Sequence, residues 1–172
     1  MAPQRRPHIR RLILAITSGD INLVEHLVAE GVNVNGKHWD DWRSTPSSCA
    51  IRKNHTQILA ILIRHGLRLQ RGEDGPFLQA AFYAKQDSLK LLARTVFAPD
   101  LWRGKSRADI EAEADLIYRN IQASYRPWRD RDESFRITRL ELFDAAMTCW
   151  EHVRPDPPKI TISNAPAKPN AL

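Results

Sequence analysis

Apolar positions in the first half of the chain recur as a short helical stripe that follows a turn and closes on a glycine. Between Ser18 and Gly31 the stripe Leu23, Val24, Leu27 and Val28 follows a Gly19-Asp20 turn, and between Lys53 and Gly66 the stripe Ile58, Leu59, Ile61 and Leu62 follows Asn54-His55. Gly19 and Asn54 stand 35 residues apart, as do Gly31 and Gly66, so one register holds across the unit. A third copy opens at Gly75-Pro76-Phe77-Leu78-Gln79-Ala80-Ala81, 30 residues after the corresponding Thr45-Pro46, and runs from Ala84 to Leu92. Apolar residues at three- and four-residue spacing predict amphipathic helices. A period of this length predicts a stack of repeated helical units that share one core. Pro46 sits where a first helical turn tolerates a missing N–H, and Gly31 and Gly66 where a helix ends in a left-handed turn.

The second half has a longer pattern. A helix is expected over residues 106–123, with Ser106 as N-cap, Asp109 in the first turn, and Ile110, Ala114, Ile117 and Ile121 on one face. Another is expected from about Ser134, carrying Ile137, Leu140, Phe143, Met147 and Trp150. A stack of repeats exposes apolar faces at its ends, so these helices read first as a cap docked on the third copy and second as an independent partner-binding pair. From Pro155 onward, five prolines and no continuous apolar run predict an extended or disordered tail.

These residues resemble the ankyrin-repeat family, whose unit runs Thr-Pro-Leu-His-x-Ala-Ala, a Gly-His turn, a Val-x-x-Leu-Leu helix and a Gly-Ala-x-Val-Asn exit. The second copy matches through Thr45-Pro46, Asn54-His55 and its Ile/Leu stripe, and the first supplies the exit as Gly31-Val32-Asn33-Val34-Asn35. Ser47 and Ser48 replace Leu-His, and the third copy closes on Arg94-Thr95-Val96-Phe97-Ala98-Pro99 without the exit, like a terminal repeat. The resemblance implies an all-α fold: a short ankyrin helix-turn-helix solenoid over residues 9–97. It is preceded by a basic arm (1–8) and followed by a helical capping extension (98–154) and the Pro-rich tail (155–172).

Composition narrows the partners. The net charge is +6; residues 36–100 carry ten Lys/Arg against six Asp/Glu, while residues 101–154 are balanced at ten and ten. The excess therefore sits on the repeats and favours an acidic partner, without the clustered stripe of a nucleic-acid binder. The first 19 residues hold Arg5, Arg6, Arg10 and Arg11 and no acid, which superficially suits a transit peptide, but residues 11–18 are needed by the first repeat, so a solvated arm is preferred. Cys49 and Cys149 are too few for a disulfide framework and suit a reducing, cytoplasmic or nuclear compartment. No apolar run is long enough to span a bilayer.

The resemblance further implies a concave surface built from finger tips and inner-helix ends. Transferred to this chain, the expected partner-binding residues are Trp39, Asp41, Trp42 and Ser44 of the first finger, with Arg52, Lys53, Phe82 and Tyr83 of the inner-helix ends. Trp, Tyr and Arg are the side chains that interface hot spots favour. The competing reading packs Trp39 or Trp42 against space left by Ser47 and Ser48. The function expected is protein–protein interaction, as adaptor or inhibitor, with no cofactor and no metal. A second function class, an unusual enzyme with a pocket between repeats and extension, would use His38, Asp40 and Asp41 or His55 as acid–base groups, though their spacing carries no catalytic motif. The segment from Tyr118 to Arg131 interleaves aromatics with arginines, yet Asp130, Asp132 and Glu133 balance it, so paired charges in a connection are preferred over nucleic-acid binding.

Overall fold

The computed structural model describes residues 6–37, 45–69, 75–124 and 132–155. Among these residues every regular element is a helix: α1 (Arg6–Ser18), α2 (Ile21–Ala29), α3 (Pro46–Arg52), α4 (Thr56–Arg64), α5 (Pro76–Phe82), α6 (Gln86–Val96), α7 (Pro99–Trp102), α8 (Arg107–Ser124) and α9 (Asp132–Val153). The first six form three antiparallel pairs. The inner helices α1, α3 and α5 pack in sequence on one layer, and the outer helices α2, α4 and α6 on the other.

Each pair is closed by the same turn. In the first, the Gly19 N–H donates to the Ile16 carbonyl and the Asp20 N–H to that of Ala15. Asn54 and His55 repeat the pattern on Ile51 and Ala50, and Ala84 and Lys85 on Ala81 and Ala80. This double bond satisfies the orphan carbonyls of a helix end and requires a left-handed residue at its centre. Gly19, Asn54 and Ala84 accordingly have φ of 76, 58 and 50°. Beside Gly19 the His55 ring stands close, so that a β-carbon there would lie 3.2 Å from its Cε1, tighter than ordinary contact.

The substituted serines of the second repeat have a local role. Thr45 caps α3: the Ser48 N–H donates to Thr45 Oγ1 at 3.1 Å, and the Thr45 N–H to Ser48 Oγ at 2.9 Å. Ser47 is buried and its hydroxyl lies 3.1 Å from Thr45 Oγ1. The serines thus form a reciprocal cap, which secures the N-terminus of a helix of only seven residues. The exit of the first repeat ties to the second through Asn35, whose Nδ2 donates to the Gly66 carbonyl at 2.9 Å and whose Oδ1 accepts the Arg68 N–H at 2.8 Å.

The third pair has no such exit. Phe97 is buried, its ring packs 5.7 Å from that of Trp102, and Trp102 Nε1 donates to the Val96 carbonyl. The chain then turns into α7, and α8 and α9 lie against the α5–α6 pair, with α9 running along both α6 and α8. Ser106 caps α8 as expected: its hydroxyl accepts the Asp109 N–H, and Asp109 Oδ2 accepts the Ser106 N–H at 3.0 Å. Ile110, Ala114, Ile117 and Ile121 are all buried. On α9 the expected stripe is displaced. Leu140 is 57% exposed, and the deepest residues are Thr138, Leu142, Ala145, Ala146 and Cys149, with Ile137, Phe143, Met147 and Trp150 along their margins. Glu141 joins α9 to α6, accepting from Gln86 Nε2 at 2.7 Å and lying 3.8 Å from Lys90 Nζ. One cluster of buried apolar side chains runs from Ile9 to Cys149.

Candidate functional site

The residues expected on the binding surface fall into two groups. Trp39, Asp41, Trp42 and Ser44, with His38 and Asp40, lie outside the described residues; the adjoining Lys37 is exposed. Arg52, Lys53, Phe82 and Tyr83 are described, and the repeat turn brings them together. Arg52 ends α3 and Lys53 is its C-cap, while Phe82 ends α5 and Tyr83 is its C-cap. Because α3 packs on α5, the four residues occupy the same edge of neighbouring inner helices, with Thr17 and Ser18 of α1 at the corresponding positions.

Arg52 and Lys53 are exposed and form no ion pair with a described carboxylate. Cations at a helix C-terminus are favourably placed against the helix dipole. Phe82 and Tyr83 are half-buried and meet edge to face, with ring centroids 5.0 Å apart and planes at 88°. Such a pair keeps its geometry at low entropic cost and presents one apolar and one hydroxyl-bearing surface. Asn54 Nδ2 donates to Asp87 Oδ2 at 3.3 Å across the same edge, linking the second turn to the third pair. The edge can therefore offer positive charge and aromatic area on a rigid frame.

Thr45, the last residue before α3, caps its N-terminus, whereas Arg52 and Lys53 close its C-terminus. Seven helical residues rise about 10 Å, so Thr45 and the turn edge stand at the two ends of α3. Sequence spacing alone could not show this separation.

The residues suggested for acid–base chemistry are not assembled into a described cluster. His55 is half-buried with its ring against Gly19, and His65 is exposed beyond α4. Among the described residues, no group of three or more His, Cys, Asp or Glu is placed to hold a metal ion. Burial raises the Cys149 thiol above its ordinary pKa. Among the described residues, no helix is long and apolar enough to cross a membrane.

Two contributions escaped the reading of motifs. Asn35 was visible only as part of the exit, yet it is the hydrogen-bonded bridge between two repeats. Ser48 departs from the family pattern but completes a cap, which the Thr-x-x-Ser spacing signals in weakened form.

Among curated proteins and solved structures, no significant match is found. The family model described as ankyrin repeats matches residues 12–100 in three copies. That span covers α2 through α6, most of α1 and the first residues of α7, with the three left-handed turns and both glycine exits at equivalent positions. With more than half its length matched and the same three pairs built in the fold, the chain belongs to the ankyrin-repeat family.

Proposed function

We propose that this protein is an intracellular adaptor or inhibitor, cytoplasmic or nuclear, that docks an acidic protein partner on the concave surface of its ankyrin stack. Ankyrin repeats are protein–protein interaction modules; the finer reading rests on the turn edge. The observation that carries it is the pairing of two exposed cations, Arg52 and Lys53, which form no ion pair with a described carboxylate, with the edge-to-face Phe82 and Tyr83 on the neighbouring helix. Aromatic area supplies affinity when buried, and the cations raise the encounter rate with a negatively charged partner. Trp39, Trp42, Asp41 and Ser44 extend the surface at the finger end. In this reading α8 and α9 are the cap that closes the stack, supported by the way α9 covers α6.

Affinity purification with mass spectrometry identifies the partner; binding is then measured with two variants. Trp39→Ala/Trp42→Ala and Arg52→Glu/Lys53→Glu are both expected to weaken binding by at least ~10-fold, the equivalent of about 1.4 kcal/mol. The charge reversal is expected to act mainly through a slower association rate that falls less steeply with added salt than in the wild type. Unchanged partner recovery by both folded variants would refute the proposal.

A further inference from the structure

The three repeats allow one surface to be compared with itself. The turn hydrogen bonds place residue n of the first repeat at n + 35 in the second, so Leu14 corresponds to Cys49, Leu23 to Ile58 and His26 to Ile61. In the second repeat these positions are buried, with Cys49 at 1%, Ile58 at 1% and Ile61 at 3% exposure. In the first repeat Leu14 is 61% exposed, Leu23 is half-buried and the His26 side chain is 63% exposed. The helices on either side of the comparison are alike. The difference is the upstream neighbour: α1 and α2 lie against α3 and α4, while α1 and α2 have no described helix on their own outer side. Leu14 thus holds a stacking position that no described helix covers.

Its surroundings state what fits. Arg10 and Arg11 are exposed on the same helix, Arg11 standing where the second repeat buries Pro46, and neither meets a described carboxylate. There is no acidic residue in the chain before Asp20. A second copy placed face to face would bring the Arg10 and Arg11 of both copies into one contact with no acid from α1 to offset them, and like charges gathered there are costly. The complement is an apolar stripe flanked by acids, in the place that a further repeat's helix would fill.

We propose that the α1 end of the stack is a second docking site, separate from the concave surface, for an acidic amphipathic helix of a partner protein. The helix packs its apolar stripe over Leu14 and Leu23 and sets carboxylates against Arg10 and Arg11. Because the helix buries Leu14 on docking, loss of its side chain is expected to reduce affinity by roughly 10-fold or more.

The test uses the full chain and two labelled synthetic peptides that share one leucine pattern at helical spacing, the remaining positions being glutamate in one and lysine in the other. Fluorescence anisotropy is expected to show binding of the Leu/Glu peptide at least ~10-fold tighter than the Leu/Lys peptide. Leu14→Asp weakens the Leu/Glu peptide by ~10-fold or more, Arg10→Glu/Arg11→Glu inverts the preference, and bound peptide slows amide exchange in α1. Circular dichroism checks the fold of each variant; Leu14→Ser replaces Leu14→Asp if the latter unfolds. Equal binding of both peptides, or of Leu14 variants and wild type, overturns the proposal. Loss of binding with Arg52→Glu/Lys53→Glu but not with Leu14→Asp assigns the peptide to the concave surface and also overturns it. A wild-type dimer in sedimentation that Leu14→Asp dissociates makes a second copy the occupant instead.

Discussion

Ala84 holds φ of 50° in the third turn, where the first two turns use Gly19 and Asn54. A left-handed conformation costs a residue with a β-carbon about 1–2 kcal/mol, against about 0.5–1 kcal/mol of extra chain entropy for glycine. Ala84→Gly is therefore expected to stabilise the protein by about 0.5–1 kcal/mol, read as a higher denaturant midpoint at unchanged slope. Ser88 stands where the second repeat has Ile58; it is fully buried and its hydroxyl has no hydrogen-bond partner among the described residues. Removing an unsatisfied buried hydroxyl relieves a desolvation penalty, so Ser88→Ala is expected to be neutral or to stabilise by up to ~1 kcal/mol in the same measurement. At the start of α8 the Ser106 hydroxyl and then the Ser106 N–H hold the Asp109 carboxyl below its ordinary pKa, with Lys105 adding a weaker pull. A depressed folded pKa contributes stability above the unfolded value near 3.9, and loses it as pH falls through the lower folded value. NMR titration is expected to find Asp109 below the ordinary carboxylate range in the wild type and returned towards it in Ser106→Ala.

At the level of elements, large apolar residues at helical spacing located α2, α4 and α8 because each has one neighbour-facing side. The four α8 residues expected on one face, Ile110, Ala114, Ile117 and Ile121, are all buried. The same rule chose the wrong centre on α9. That helix lies along both α6 and α8, and its most buried residues are Thr138, Ala145, Ala146 and Cys149, with Leu142, while the bulkier Phe143, Met147 and Trp150 are only partly buried. Hydrophobic periodicity weights size and overlooks small residues that let helices come close. Leu142→Ala is expected to cost about 2–4 kcal/mol, whereas Leu140→Ala stays within about 0.5 kcal/mol, both by chemical denaturation. The turn edge was half legible: the residue types at Arg52, Lys53, Phe82 and Tyr83 were visible in sequence, but their common level depended on the packing of α3 on α5. α7 had no legible pattern, since four residues cannot display a period.

Across the whole molecule, a single apolar cluster joins the first inner helix to the last helix. Cys49 and Cys149, each 1% exposed, sit in distant parts of it, one in α3 and the other in α9. Unfolding is expected to be one cooperative transition, with tryptophan fluorescence and far-ultraviolet dichroism superimposing. Both thiols should react with a disulfide reagent at the same rate in moderate denaturant; earlier release of Cys149 would show that α8 and α9 open on their own. The closing turn at Phe97 and Trp102 also gives the array a direction of growth. A duplicated unit inserted between the first and second repeats finds a glycine exit before it and an asparagine bridge to join it, so tandem duplication there lengthens the array without new contacts. After Phe97 there is no such splice point, because the ring that ends the third repeat is already buried against Trp102. Lengthening is thus open between the first two repeats and closed after the third.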